Sequence, residues 1–264
     1  MTMRILIVNK FLYLRGGDCV HSLNLKQLLR NAGHDVCFYA MSYSQNIVCE
    51  ENKYFAEEIS FSAKDLQGKI KAASRIIWGI GVVQNFKKLL EEFQPDVVHL
   101  NNIHSYLSPI VAKLAYQRGV KVIWTLHDYK LICPSYSCLC KGNTCEACFT
   151  DKKHVVLRKC MKNSFPASIL AWGEAMNWNK NKLSLWTNSF ICPSQFMAEK
   201  MQQGGYPASK LQVISNFIGE EQVQYIINTP NPIREEAYAY IGRLSQEKGV
   251  ESLLKAASRL PYKL

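Results

Sequence analysis

The sequence predicts an α/β fold, a Rossmann-like doubly wound parallel sheet followed by the start of a second unit of the same kind. Three features predict it. Continuous apolar, β-branched runs such as "RILIV" and "VKVIWTL" read as strands buried on both faces. Helical patterns alternate with these runs, as parallel crossovers require. Polar, glycine-bearing turns such as "RGGD" join a strand end to the next helix, where ligands bind in such sheets.

Taken in order, "RILIV" is the first strand. After "RGGD", the apolar spacing of Val20, Leu23, Leu28 and Leu29 fits a helix closed by Gly33. "DVCFYAM" is the next strand, and a helical region runs from about Leu66 to Phe93. Strand "DVVHL", helix "SPIVAKLAYQRG" and strand "VKVIWTL" follow. A Cys-rich insertion over 133–160 leads into a Trp-rich helical stretch, then strand "SFICPS", helix "QFMAEKMQQGG" and strand "LQVISNF". That closes one domain over 1–218. The breakers in "NTPNPIREE" make 219–236 a linker, after which "AYAYIG" and "GVESLLKAASRL" restart the strand and helix grammar over 237–264. One strand and one helix bury no core by themselves.

The 264 residues, 48% hydrophobic and 20% charged, describe an ordinary globular chain. The net charge of +11, from 32 basic and 21 acidic residues, favours anionic partners: phosphorylated small molecules or lipid surfaces. Nucleic acid is not among the expected partners, because the basic residues are dispersed and no reader motif is present. The start "MTMRILIVNK" lacks a signal-peptide core, and "IIWGIGVV" is too short to span a bilayer. The expectation is a cytoplasmic protein whose ten cysteines are thiols or metal ligands.

In "GRLSQEKG", Arg243 and Lys248 flank a turn that opens a helix. Two cations and a helix N-terminus directed to one place suit a diphosphate. A solvated basic turn is the plainer alternative. With "RGGD", "PDVVHLNNIHSYLSP", "WTLHDYKLICP", "FICPSQFMAEKM", "LQVISNFI" and "YIGRLSQEKGVESLLKA" added, the chain resembles the retaining GT-B glycosyltransferases of family four over nearly all its length. The resemblance implies two Rossmann-like domains, the second truncated here at its first strand and helix. It implies a sugar passed from a nucleotide-diphosphate sugar to a glycan or lipid-linked acceptor in surface polysaccharide biosynthesis. It assigns Arg243 and Lys248 to the donor diphosphate, Gly16 and Gly17 to the donor, and His127 to the transferred sugar as the catalytic residue. His104 and Asn101 are candidate acceptor contacts; some family members carry a second His where Asn101 stands. No cofactor is expected to be required for catalysis, because the fixed cations stabilise the leaving group.

His99, inside "DVVHL", reads as a satisfied core histidine. Cys133, Cys145, Cys148 and Cys160 could hold a structural zinc, with Cys145 and Cys148 as a C-x-x-C half; a loop of free thiols is the alternative. Lys69, Lys71, Arg75, Lys87 and Lys88, mixed with Ile70, Ile76, Ile77, Trp78 and Phe86, describe either a core-facing helix with a basic rim or a peripheral contact with the inner membrane. Two other function classes stay open: a non-catalytic acceptor- or membrane-binding remnant, and a nicotinamide oxidoreductase. The oxidoreductase fits poorly, since "RGGD" lacks the G-x-G-x-x-G turn.

Overall fold

The computed structural model describes residues 2–61, 65–230, 237–245 and 248–261. Six parallel strands form one sheet in the order β2-β1-β3-β4-β7-β8: β1 Arg4–Val8, β2 Asp35–Tyr39, β3 Val97–Leu100, β4 Lys121–Thr125, β7 Ser189–Cys192 and β8 Leu211–Val213. Between β4 and β7 the Cys-rich insertion forms a short hairpin, β5 Leu139–Cys140 and β6 Asn143–Thr144. The predicted doubly wound α/β class is therefore the observed one. Ile5, Leu6, Ile7 and Val8 of β1 are all buried because β2 and β3 flank the strand and helices cover both faces.

The helices are α1 Gly17–Asn31, α2 Leu66–Trp78, α3 Val83–Phe93, α4 Ile110–Gln117, α5 His154–Leu157, α6 Phe165–Asn177, α7 Lys180–Trp186, α8 Gln195–Gln203, α9 Glu220–Asn228 and α10 Val250–Ala257. Ser164, Asn179 and Ser194 cap α6, α7 and α8 by accepting backbone N–H bonds, which satisfies otherwise orphaned donors.

Three expectations change in detail. The helical region from Leu66 to Phe93 is two helices, because Gly79 and Gly81 take positive φ angles of 70° and 83° and turn the chain. Arg75 is not part of a basic surface. It is fully buried and donates to the carbonyls of Ile80 (2.6 Å), Tyr106 (3.0 Å) and Glu57 (3.1 Å), tying the α2–α3 corner to the loop after β3. Ile76 and Phe86 are core residues too, whereas Ile70 and Trp78 are exposed, so the stretch faces the core only in part.

Within the expected linker, 219–230 is partly helical. Gln222 accepts a bond from the Gly219 N–H at 3.3 Å, and Glu220 and Glu221 occupy the first turn of α9, where the helix dipole favours acids. Residues 231–236, with most of the predicted breaker, lie outside the described residues. In the terminal unit the predicted helix is present as α10, but Tyr238–Gly242 forms no ladder among the described residues. A strand needs a paired neighbour, and among the described residues of this run only Ala237, just before Tyr238, forms a β-bridge.

Candidate functional site

The sheet order brings the carboxyl ends of β1, β3 and β4 side by side, with Val8 opposite Leu100 and Leu100 opposite Trp124. The order reverses between β1 and β3, and a crevice beyond the strand ends is expected at such a point. Asn9 and Lys10 follow β1, Asn101 and His104 follow β3, and His127 and Asp128 follow β4. The local backbone is pinned: Asn101 N–H donates to the Val8 carbonyl (2.9 Å), and Asn102 N–H to the Asn9 side-chain oxygen (3.0 Å).

His127 Nε2 meets Asn101 Oδ1 at 3.0 Å. An amide oxygen only accepts, so Nε2 carries the proton and Nδ1 is left as an acceptor. Burial lowers the His127 pKa to about 4, with His21 nearby adding to the effect, so the ring is neutral near pH 7. Asn101 is itself buried. Its carbonyl accepts from Trp124 Nε1 (3.0 Å), and its side-chain nitrogen has no partner among the described residues. His104 stacks on the Trp124 ring with centroids 5.4 Å apart. Asn101, His104, Trp124, His127, Asp128 and Leu131 line one small cleft of about 10 Å³, space for roughly a single water. Three of the residues expected at a site, His127, Asn101 and His104, are thus one connected unit.

Gly16 caps α1 in an extended conformation that any residue can adopt, so backbone strain does not call for glycine there. What the two glycines provide is space. A Cβ at Gly16 would meet only Asp18 Oδ1 at 3.5 Å, and at Gly17 nothing within 4 Å. The helix N-terminus is therefore open to a ligand.

Sequence reasoning missed His21, one helical turn beyond Gly17. Its ring lies edge-on to His127 at 5.1 Å and to Phe217 at 5.2 Å, and its buried Nδ1 has no partner among the described residues. Starting α1 at Gly17 and counting four residues would have found it. It also missed Lys10, paired with Asp18 at 3.2 Å, and Lys130. Lys130 sits in a buried ion pair with Glu174 of α6 (2.8 Å) and donates to the Pro134 carbonyl (2.8 Å), which anchors the loop carrying His127 and Asp128. His99 is buried and bonds Thr125 Oγ1 at 2.8 Å, as a satisfied core histidine does.

Arg243 and Lys248 stand exposed on the turn before α10, and Gly249, with φ 68°, caps that helix. Lys248 N–H donates to the Ser245 carbonyl at 3.0 Å, which shapes the turn.

The cysteines divide differently from the expected zinc set. Cys133 and Ser135 are bonded at 3.1 Å, and bonds from Cys138 and Cys148 pull the Cys133 thiol down to about 2 while raising both of those partners. Cys145 instead accepts from Arg158 at 3.0 Å, and Cys160 is pushed up to about 11 by burial and the neighbouring Cys140 and Cys145. Among the described residues no group of three or more His, Cys, Asp or Glu side chains is arranged to hold a metal ion. Cys133 thus bonds Cys148, and Cys160 lies by Cys140 and Cys145, so the expected four are split between two neighbouring groups.

A parallel sheet of this order, with an open glycine turn and buried polar groups at its switch point, is the Rossmann-like α/β arrangement that binds ligands beyond its strand ends. Residues 15–222 match the model of Glycosyltransferase Family 4, and the chain belongs to that family. It is 24% identical over 193 residues, 70% of this chain and 44% of the relative, to a 42.6 kDa protein in the cps region of Klebsiella pneumoniae. It is 36% identical over 107 residues, 37% of this chain and 28% of the relative, to a glycosyltransferase of Methanosarcina acetivorans. The chain spans less than half the length of these relatives. Among solved structures it is similar to Anabaena HepE in complex with UDP-glucose (TM-score 0.55, 15% identity, 99% of this chain and 59% of that one). It is also similar to sucrose-phosphate synthase from Thermosynechococcus elongatus (TM-score 0.53, 14% identity, 98% and 60%). Among the described residues no helix is long and apolar enough to cross a membrane.

Proposed function

We propose that the protein transfers a sugar, with retention, from a nucleotide-diphosphate sugar to a glycan or lipid-linked acceptor during assembly of a surface polysaccharide. The observation that carries this reading is the neutral His127, fixed by Asn101 beside an open glycine turn, in a chain of Glycosyltransferase Family 4. The cps-region relative and the UDP-glucose complex of the HepE neighbour support the polysaccharide and donor classes.

In the proposed reaction the anomeric C–O bond to the diphosphate breaks and its electron pair leaves on the phosphate. The acceptor oxygen bonds the anomeric carbon on the same face, and its proton passes to the departing phosphate oxygen. Arg243, Lys248 and the α10 N-terminus offset the charge growing on that phosphate. His127 Nδ1 accepts from a hydroxyl of the transferred sugar, and the unpartnered Asn101 nitrogen donates to a ligand oxygen. Gly16 and Gly17 let the donor approach the α1 backbone. The exposed apolar residues Ile241, Leu244 and Leu254 support a donor lobe that continues beyond the described layer, since such side chains are stable when another layer covers them.

The test is release of nucleoside diphosphate from UDP-glucose and other nucleotide sugars, with a lipid-linked glycan as acceptor, using the protein purified at its native length. His127→Ala is expected to lower the rate on the order of 100-fold, and the anomeric coupling in the product reports retention. No release from any nucleotide sugar would overturn the reading.

A further inference from the structure

Helix α6 carries a stripe that the transfer reaction does not use. Phe165, Ile169, Trp172 and Met176 are all exposed and spaced one helical turn apart, while Ser168, Ala171 and Glu174 on the opposite side are buried. This inverts the usual pattern, in which the outward face of a surface helix is polar. The stripe is contiguous with further exposed apolar residues. Asn177 and Trp178 bond the carbonyls of Ile77 (2.5 Å) and Ile76 (2.8 Å), which sets Trp78 and Ile80, both exposed, beside its carboxyl end.

The other end of the stripe is cationic. Just before α6, an open cleft of about 490 Å³ is lined by Lys141, Arg158, Lys159 and Asn163, with the exposed Leu157 at its side. Over 141–182 the sequence has eight Lys or Arg against three acids. Each of those acids is already paired: Glu146 with Lys200, Asp151 with Lys153, and Glu174 with Lys130. The surface next to the stripe therefore keeps a net positive field.

An apolar helix face with a basic collar suits an interface where hydrocarbon lies beneath phosphate groups. The structure assigns α6 as a docking face for an anionic lipid surface, with Phe165, Ile169, Trp172 and Met176 entering the acyl boundary and Lys141, Arg158 and Lys159 receiving lipid phosphate. Of the membrane contact expected from sequence at α2 and α3, α3 turns its apolar residues to the core, while Trp78 at the end of α2 joins the α6 surface. The inference extends the reading of a lipid-linked acceptor but does not require transfer, since vesicle binding has its own readout.

The experiment is co-sedimentation of the full chain with vesicles of phosphatidylglycerol mixed into phosphatidylcholine, against phosphatidylcholine alone. Binding to the anionic vesicles is expected, weakening as salt rises. Ile169→Ser with Trp172→Ser should reduce partitioning at least tenfold. Lys141→Glu with Lys159→Glu should reduce it roughly fivefold or more for each position. Unfolding curves matching the parent show that both double variants are folded. Four results would each overturn the assignment: no preference for anionic vesicles; binding unchanged in Ile169→Ser/Trp172→Ser; displacement by inorganic phosphate beyond that of chloride at equal ionic strength, which marks a soluble-phosphate site; or self-association through the stripe without vesicle binding. Any of these leaves the transfer reaction standing.

Discussion

The first strand and the terminal strand-like segment have similar sequence grammar and opposite fates. In β1, Ile5 to Val8 are between 0% and 4% exposed, and the following helix buries Cys19, Ser22 and Leu25. In the terminal unit Ile241 is 95% exposed, and α10 buries nothing. Both have an apolar run, a glycine-bearing turn and a helix. The difference is neighbours: β1 is flanked by β2 and β3, whereas Tyr238–Gly242 pairs with no strand among the described residues. Local pattern nominates an element, and tertiary burial stabilises it.

The largest expected effects lie on the buried side of that comparison. Trp124→Ala should cost about 3–5 kcal/mol in denaturant unfolding, since the ring is fully buried and its N–H holds Asn101. In the 264-residue chain, Ile241→Ala should stay within about 0.5 kcal/mol. Equal losses would break the contrast. Next is Lys130→Met, which strands the Glu174 carboxylate and should destabilise by about 3 kcal/mol. Lys130→Met with Glu174→Leu should recover most of that; a loss as large as in the single variant would show that packing, not charge, is at stake.

A pH effect is smaller and also confined to the buried region. Burial lowers His127 to about 4 and His99 to about 3, below the unfolded value near 6.5. Between those values the unfolded state binds more protons than the folded one. Stability should therefore fall as pH drops from about 6.5, by up to about 1.4 kcal/mol per unit for each histidine, the His127 contribution levelling off near pH 4 and that of His99 near pH 3. His99→Gln should flatten the dependence of Tm on pH; an unchanged slope would place its origin elsewhere.

Much of the sheet was legible because parallel strands buried on both faces read as unbroken apolar runs, as in Arg4–Val8 and Lys121–Thr125. His127 was legible from its place after such a run. The Leu66–Phe93 division was legible only in part: Gly79 and Gly81 weaken a continuous helix, but the left-handed angles that turn the chain there appear only in the backbone. His21 and the Lys130–Glu174 pair were not legible either. The first depends on where a helix begins, and the second joins residues 44 positions apart whose meeting is set by packing. The bonding of Cys133 to Cys138 and Cys148 was not legible, because spacing alone does not show how the chain around the β5–β6 hairpin folds.

The smallest perturbation to the fold gives the most direct test of the proposed site. Arg243→Ala with Lys248→Ala changes exposed side chains and should leave unfolding within about 0.5 kcal/mol of the parent. Calorimetric titration with UDP should show binding to the parent and to His127→Ala, whose side chain is assigned to the sugar and not the diphosphate. The Arg243→Ala/Lys248→Ala variant should bind at least tenfold more weakly. Equal affinity in all three proteins would contradict the assignment of the diphosphate to this turn.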